Sequence, residues 1–278
     1  MIKDVLVCLE SSASTEAAAK TALQIVKAQG AQLCGLAVID EPNIRAGAAT
    51  SIGGASFKHE RDEALLAEAR ANAAKCLGAF DRLCRAANVV AETRQIIGKA
   101  GSSILREMQA FDLSVMGRDA NFHFETEDED PATRSYVLHR SKKPTILVPA
   151  AGQPVWKRVV IAYDGSSAAK RAIASFTDSG LARDLELHVA TVDDDGATAW
   201  EMADRAVAEL KQRGFEAALH NIVSVETIPV ALLETAVKLG ADAMVMGAYA
   251  GCRLVERVWG SVTTDLIDKT TISLFLQH

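Results

Sequence analysis

The sequence predicts an α/β fold: two tandem repeats of an open, parallel, five-stranded sheet with helices on both faces. Two observations favour this class. Short apolar runs, typical of buried parallel strands, alternate with longer segments of helical periodicity. The order of these segments in the first half of the chain recurs in the second half, which indicates a duplicated domain.

Five apolar runs predict the strands of the first half. Each run is shorter than an ordinary helix and is bounded by polar residues, proline or glycine, as strands of a buried sheet usually are. The predicted strands are Asp4–Glu10, Gln32–Ile39, Val89–Ile97, Leu113–Met116 and Pro144–Val148.

The segments between these runs predict helices. They are rich in helix-forming residues and place apolar residues at helical spacing. Ser11 and Ser12 are good N-caps for the first helix, and Ser102 or Ser103 opens the third. The predicted helices are Ala13–Ala28, Lys58–Ala87, Gly98–Ala110 and Pro131–Ser141, with polar loops at 40–57 and 118–130.

Four segments of the second half match the first half in the same order. The matched pairs are 158–167 with 4–12, Leu185–Asp193 with Gln32–Asp40, Asp242–Gly247 with Asp112–Gly117, and Ser273–Leu276 with Thr145–Val148. Between the halves, Ala150–Pro154 has the small, Gly- and Pro-containing composition of a domain boundary. The predicted domains are residues 1–150 and 155–278.

Composition and charge exclude several classes of partner. The net charge of −6, without a basic block, argues against nucleic acid. No stretch reaches the ~18 apolar residues of a membrane span. The opening apolar run is short and ends at Glu10, so it does not resemble a signal peptide, and we expect a cytoplasmic protein.

The five cysteines form no CxxC pair. Buried free thiols in a reducing compartment explain Cys8, Cys34, Cys76 and Cys84, which lie in predicted strands and helices. Cys252 lies in a small-residue loop, where a redox role stays open as an alternative. The histidines show no metal-ligand spacing with one another or with cysteine, so no metal site is predicted.

The segment 241–271 has the pattern of an anion site. A predicted strand, Ala243–Met246, is followed by the small residues Gly247 and Gly251, and Gly260–Thr263 then leads into a helix that Ser261 or Thr263 can cap. Free backbone N–H groups and the positive end of a helix favour phosphate in such a loop.

The first half lacks this pattern. The acidic run Glu125–Asp130 and the segment Pro131–Arg134 stand where the glycine-rich loop would be. The five carboxylates of that run would repel phosphate, and such a dense run is more typical of a solvated loop than of a metal site. We therefore expect at most one good nucleotide site per chain, in the second half.

These residues together resemble the universal stress protein family over nearly the whole chain. The resemblance is carried by Asp164-Gly165-Ser166, by the strand His188–Asp193 and by the closing glycine-rich segment. Nucleotide-binding members have Gly-x-x-Gly, nine residues, then Gly-Ser or Gly-Thr. Gly247 and Gly260-Ser261 match, whereas Ala250 replaces the middle glycine and Gly251 follows it. The resemblance implies a Rossmann-like fold related to the adenine nucleotide alpha hydrolases.

The resemblance also implies a ligand and its contacts. The ligand would be ATP, ADP or AMP, with or without Mg²⁺, lying across the carboxyl ends of the strands of the second repeat. The implied contacts are Ala162 and Asp164 at adenosine, Val192 at adenine, Met246, Gly247, Ala248, Ala250 and Gly251 in the loop, and Gly260, Ser261, Val262 and Thr263 at the phosphates. A homodimer or an internal pseudo-dimer is expected.

Several of these residues have a plain structural alternative. Asp164-Gly165 can be a turn that starts a helix, and Val192 and His188 can be ordinary core residues. Gly98 and Gly101 lack the spacing of a Walker loop.

Three functions from different classes follow. The first is a regulatory module that binds an adenine nucleotide. The second is a nucleotide-independent scaffold whose terminal strands, Pro144–Val148 and Ile272–Leu276, pair between repeats or chains. The third is a slow ATPase with Asp164 near the nucleotide, although no residue is an obvious water-activating base and the Ser-Gly-Gly-x-Asp-Ser loop of ATP pyrophosphatases is absent.

Overall fold

The computed structural model describes residues 1–46, 55–125, 132–224, 226–248 and 256–278, with side chains of the last segment from Val262 onward. The strands are β1 Asp4–Leu9, β2 Gln32–Ile39, β3 Ala91–Ile97, β4 Leu113–Gly117, β5 Thr145–Val148, β6 Arg158–Ala162, β7 Glu186–Asp193, β8 Ala217–Val223, β9 Ala243–Gly247 and β10 Ser273–Gln277. The helices are α1 Ser14–Gln29, α2 Glu41–Ala46, α3 Ala55–Ala86, α4 Ala100–Met108, α5 Ala132–Arg140, α6 Ser167–Asp178, α7 Gly196–Gln212, α8 Ile228–Leu239 and α9 Glu256–Lys269.

The strands form one sheet in the order β3-β2-β1-β4-β5-β10-β9-β6-β7-β8. All neighbours are parallel except β5 and β10, which pair antiparallel with Ile146 opposite Phe275 at the centre of their register. The predicted pair of five-stranded parallel sheets is therefore confirmed. The terminal strands do pair as the scaffold hypothesis predicted, and they do so within the chain, which joins the two repeats into an internal pseudo-dimer.

Burial along the strands explains why their sequences read as apolar runs. The central strands β1, β4, β6 and β9 are buried almost throughout, because helices cover both faces. The edge strands β3 and β8 alternate between half-buried and exposed residues, and their sequences are correspondingly more polar.

Two apolar layers, one on each face of the sheet, form the core. Val159 and Ile161 of β6 point to the layer that α6 and α7 cover, together with α1 and α3 of the first repeat. Val160 and Ala162 point to the opposite layer, under α4, α5, α8 and α9. This alternation follows from the two-residue period of a strand, and the result is a doubly wound sheet.

The structure differs from the sequence prediction in several local features. The predicted loop after β2 contains the short helix α2, and α3 starts at Ala55, earlier than expected. β3 begins at Ala91 rather than Val89. The helix α4 starts at Ala100, whose N–H donates to the buried carboxylate of Asp40 at 2.8 Å, so Asp40 caps it instead of Ser102 or Ser103.

Among the described residues, no helix combines the length and the apolar character that crossing a bilayer demands.

Candidate functional site

The second repeat has a topological switch point between β6 and β9. Its strand order is β8-β7-β6-β9-β10, so the connections after β6 and β9 leave the sheet on opposite sides and open a crevice at the carboxyl ends. Ala162, the last residue of β6, lies beside Ala190 of β7 and Met246 of β9. The structure thus brings together the predicted ligand-contacting residues that lie at the carboxyl ends of these strands.

Asp164 begins a tight turn at this crevice. Its Oδ1 accepts the Ser166 N–H at 3.0 Å, and Gly165 has φ +76°, a conformation that glycine adopts without strain. Ser166 Oγ in turn accepts the Ala169 N–H at 3.1 Å and caps α6. The helix-starting turn is therefore confirmed, and Asp164 remains partly exposed at the mouth of the crevice.

An apolar cluster forms the floor of the crevice. Ala162, Met246, Ala248 and Val262 are buried in it, and the half-buried Val192 packs against it from β7. Val192 is thus a half-buried core residue. The Ala248 N–H donates to the Gln277 carbonyl at 2.8 Å. The sequence analysis missed this contact because every residue has a backbone carbonyl, whatever its type.

Gly247 is required by packing at the end of β9. A Cβ placed there would lie 2.6 Å from the backbone of both Ala168 and Ala169 at the start of α6. Gly117 holds the equivalent place in the first repeat, where a Cβ would lie 2.3 Å from Ser14 Oγ of α1. These glycines let a strand end approach a helix start closely, a role of glycine also known in dinucleotide-binding folds. The sequence prediction had given Gly247 as a place for a sharp turn or for close approach to a ligand, without this packing role.

The helix predicted to begin at Ser261 or Thr263 begins earlier. The helix α9 starts at Glu256, so Gly260–Thr263 lie inside it, and Thr263 is fully buried. The capping prediction is therefore wrong. Glu256–Trp259 contains no helix breaker, and one interior glycine costs only about 1 kcal/mol, so helix extends across Gly260. Ala250 and Gly251 lie outside the described residues, as does the side chain of Ser261.

The first repeat has a different crevice at its own switch point, between β1 and β4. Glu10 stands where the second repeat has Asp164, and its carboxylate is buried and turned into its own loop. Its Oε2 accepts the Ser12 N–H at 2.8 Å, and its Oε1 accepts the hydroxyls of Ser12 and Thr15. The cleft beside it has a volume of about 830 Å³. Of the predicted acidic run, Glu125 lines this cleft, and residues 126–130 lie outside the described part of the chain.

His188 is a core histidine with partners, as predicted. It is 6% exposed; its Nδ1 lies 2.9 Å from His220 Nε2 and its Nε2 lies 3.0 Å from Glu186 Oε1. Burial, with a smaller contribution from His188, lowers the pKa of His220. In the described part of the chain no group of three or more His, Cys, Asp or Glu residues is arranged to hold a metal ion.

Four cysteines are free thiols, as predicted. Burial raises the pKa of Cys8 to about 12 and the pKa of Cys34 and Cys84 to about 11, and it also raises the pKa of Cys76. Thiols with such pKa values are poor nucleophiles near neutral pH. Cys252 lies outside the described residues.

Comparison with known proteins agrees with this architecture. The sequence profile of the Universal stress protein family matches residues 1–149 and 156–276. The universal stress protein Slr1230 of Synechocystis sp. is 26% identical over 186 residues, covering 65% of this chain and 64% of that relative. The match thus spans just under two thirds of the relative's length.

Solved structures include proteins of the same fold. A universal stress protein from Archaeoglobus fulgidus is 20% identical, with a TM-score of 0.66 over 99% of this chain and 97% of that chain. A universal stress protein solved in complex with cAMP is 25% identical and covers 44% of this chain and 97% of its own, with a TM-score of 0.37. Because one family matches both repeats in succession and accounts for nearly every residue, this chain belongs to the universal stress protein family as a tandem, two-domain member.

Proposed function

We propose that the second repeat binds an adenine nucleotide at its switch point, and that the chain acts in the cytoplasm as a nucleotide-binding regulatory module of the stress response. The observation that carries this proposal is the position of Asp164, the half-buried Val192 and Gly247 at the carboxyl ends of three neighbouring strands. Open α/β sheets bind ligands at this place.

The geometry suggests how each part of the nucleotide would be held. Adenine would pack on Val192, next to the apolar floor. Asp164 Oδ1 is used by Ser166, so Oδ2 would accept a ribose hydroxyl. The phosphates, with Mg²⁺ as a counter-ion, would lie along the sequence motif that contains Ala250, Gly251, Gly260 and Ser261. Because backbone N–H groups inside a helix are already bonded, phosphate contact through the N–H groups of Gly260–Thr263 requires α9 to shorten at its amino end when the nucleotide binds.

Titration calorimetry tests this proposal with AMP, cAMP, ADP and ATP, each with and without Mg²⁺. The panel includes cAMP because a universal stress protein has been solved with it. We expect Asp164→Asn to weaken binding at least about tenfold, through loss of a charge-assisted hydrogen bond. Glu10→Gln, the matched change in the first repeat, should leave the affinity unchanged. Absence of both heat and a thermal shift at millimolar ATP and Mg²⁺ would reject the proposal.

A nucleotide-independent scaffold is the second candidate. The antiparallel pairing of β5 and β10 favours it, since this pairing joins the two repeats through the terminal strands. The variant Ala250→Gly separates the two candidates: tight ATP binding that is created by the glycine and is absent from the parent supports the scaffold. A slow ATPase is the third candidate, and it requires a turnover that Ser261→Ala abolishes while nucleotide binding persists.

Homodimer formation, which the family resemblance implies, also stays a prediction. It requires a surface other than the terminal strands, because β5 and β10 already pair with each other. Light scattering distinguishes a particle of 29.6 kDa from one of twice that mass.

A further inference from the structure

We propose that the cleft of the first repeat is a binding site for a small aliphatic amine. The cleft occupies the switch point between β1 and β4, where its counterpart in the second repeat would hold the nucleotide. Its volume of about 830 Å³ is within the range of small-molecule sites.

The charge of the cleft excludes phosphate and favours a cation. Of the residues that the structure describes, four carboxylates line it, those of Glu10, Glu68, Asp119 and Glu125, against one lysine, Lys75. Lys75 donates to the Asn72 amide oxygen at 3.2 Å, and Arg118 pairs with Asp119 at 2.8 Å. Even with that arginine counted, the carboxylates outnumber the cations around the cleft. An anionic ligand would meet repulsion there, whereas an ammonium group would be attracted.

One oxygen of the Glu125 carboxylate receives no hydrogen bond from the described residues. Its side chain is 9% exposed, and its Oε1 lies 3.2 Å from His123 Nδ1. Its Oε2 is buried and has no hydrogen-bond partner among the residues that the structure describes. A buried carboxylate oxygen without a donor is unfavourable, and native structures rarely retain one without a reason. A ligand N–H group that enters the cleft would supply that donor.

An amine fits this donor set better than a metal ion. Ca²⁺ and Mg²⁺ require about six or more oxygen ligands, and among the described residues no group of three or more potential metal ligands is in place. Glu10 already accepts hydrogen bonds on both of its oxygens. An ammonium group has three donors and is satisfied by a few well-placed acceptors.

A neighbouring hollow accounts for the aliphatic part. It has a volume of about 400 Å³ and shares Glu10, Ser11, Ser12 and Cys76 with the acidic cleft. Its other side is lined by apolar groups that include Phe80 and Leu83, and by two side chains of opposite charge, Glu16 and Arg82. Methylene groups of an amine bound to Glu125 could extend into this hollow and be removed from water.

Calorimetric titration with spermidine, and separately with putrescine, tests the proposal at low ionic strength. We expect one site per chain and an affinity that falls as salt is added. Glu125→Gln should weaken binding at least about tenfold, because the amide replaces a charged acceptor. The exposed Glu68→Gln should weaken it about two- to fivefold. The control Glu201→Gln makes the same charge change on an exposed site of α7 and should have no effect.

The test of amine binding is independent of nucleotide binding, because Asp164→Asn should retain full affinity for spermidine. Thermal melts establish that each variant is folded, and Glu68→Gln keeps the test decisive if Glu125→Gln fails to fold. Three outcomes would overturn the proposal: no spermidine or putrescine binding up to about 10 mM, equal affinity in every folded variant at 68, 125 and 201, or a second ATP bound at the first repeat.

Discussion

Arg134 of α5 and Asp268 of α9 form an ion pair across the two repeats, with 3.3 Å between Nη2 and Oδ1. The Nη1 of Arg134 also donates to the Arg118 carbonyl, and the Arg118 guanidinium donates to the Thr270 carbonyl at 2.6 Å. These side chains connect the repeats beside the β5–β10 pair. The pseudo-dimer is therefore held by side chains as well as by its continuous sheet.

Arg134→Ala should destabilise the protein by about 2–3 kcal/mol, which urea denaturation will measure. The Arg134 side chain is 9% exposed and its hydrogen bond to a carbonyl is charge-assisted, whereas the half-exposed Asp268 contributes little. Arg85→Ala, in an exposed pair with Asp81, is the control and should change the free energy of unfolding by less than about 0.5 kcal/mol. Equal stability of the two variants would contradict the structural role assigned to Arg134.

Two glycine-to-alanine changes should have opposite effects on stability. In Gly247→Ala the new Cβ would meet the α6 backbone at 2.6 Å, so β9 and α6 must separate, at a cost of about 1–3 kcal/mol. In Gly78→Ala, inside α3, the nearest group is the end of the Arg82 side chain at 3.5 Å. That change should stabilise the protein by about 0.5–1 kcal/mol. Thermal melts compare the two variants, and a neutral Gly247→Ala would show that this glycine is not held by packing.

The histidine pair predicts a loss of stability in acid. His220 has a lowered pKa in the folded state, so below about pH 6.5 the unfolded chain binds more protons than the native one. The stabilisation from this group is present above that pH and is lost as the pH falls toward the folded pKa. His220→Gln should reduce the difference in unfolding free energy between about pH 7.5 and pH 5. The control His59→Gln, at an exposed position of α3, should leave that difference in unfolding free energy unchanged.

The fold was predictable because its determinants are local. A strand buried on both faces is a short apolar run, and both repeats carry the same runs in the same order. The antiparallel pairing of β5 and β10 was also within reach, since two apolar terminal strands would otherwise be exposed edges.

The site was less predictable because its determinants are contacts between distant residues. Asp40 caps α4 from 60 positions away, and Arg134 reaches Asp268 across the repeats. Glycine at 247 fits a ligand loop and a strand end packed on a helix equally well, and only the distance to Ala168 separates the two. The start of α9 was misplaced for a related reason, since Ser and Thr are compatible with a helix cap and with a helix interior.

Cys8 should make the protein less stable in alkali. Burial, and then the nearby Cys34, raise the pKa of Cys8 from 9.0 to about 12. Between these two values the unfolded chain releases a proton that the native state retains, so stability falls as the pH rises. From this group alone, about 1 kcal/mol of the stability at pH 8 should be lost by pH 10. Cys8→Ala should be less stable at pH 8, because a buried sulfur is removed, but its unfolding free energy should fall less between pH 8 and pH 10. The same alkaline slope in the variant and the parent would show that this thiol does not carry the effect.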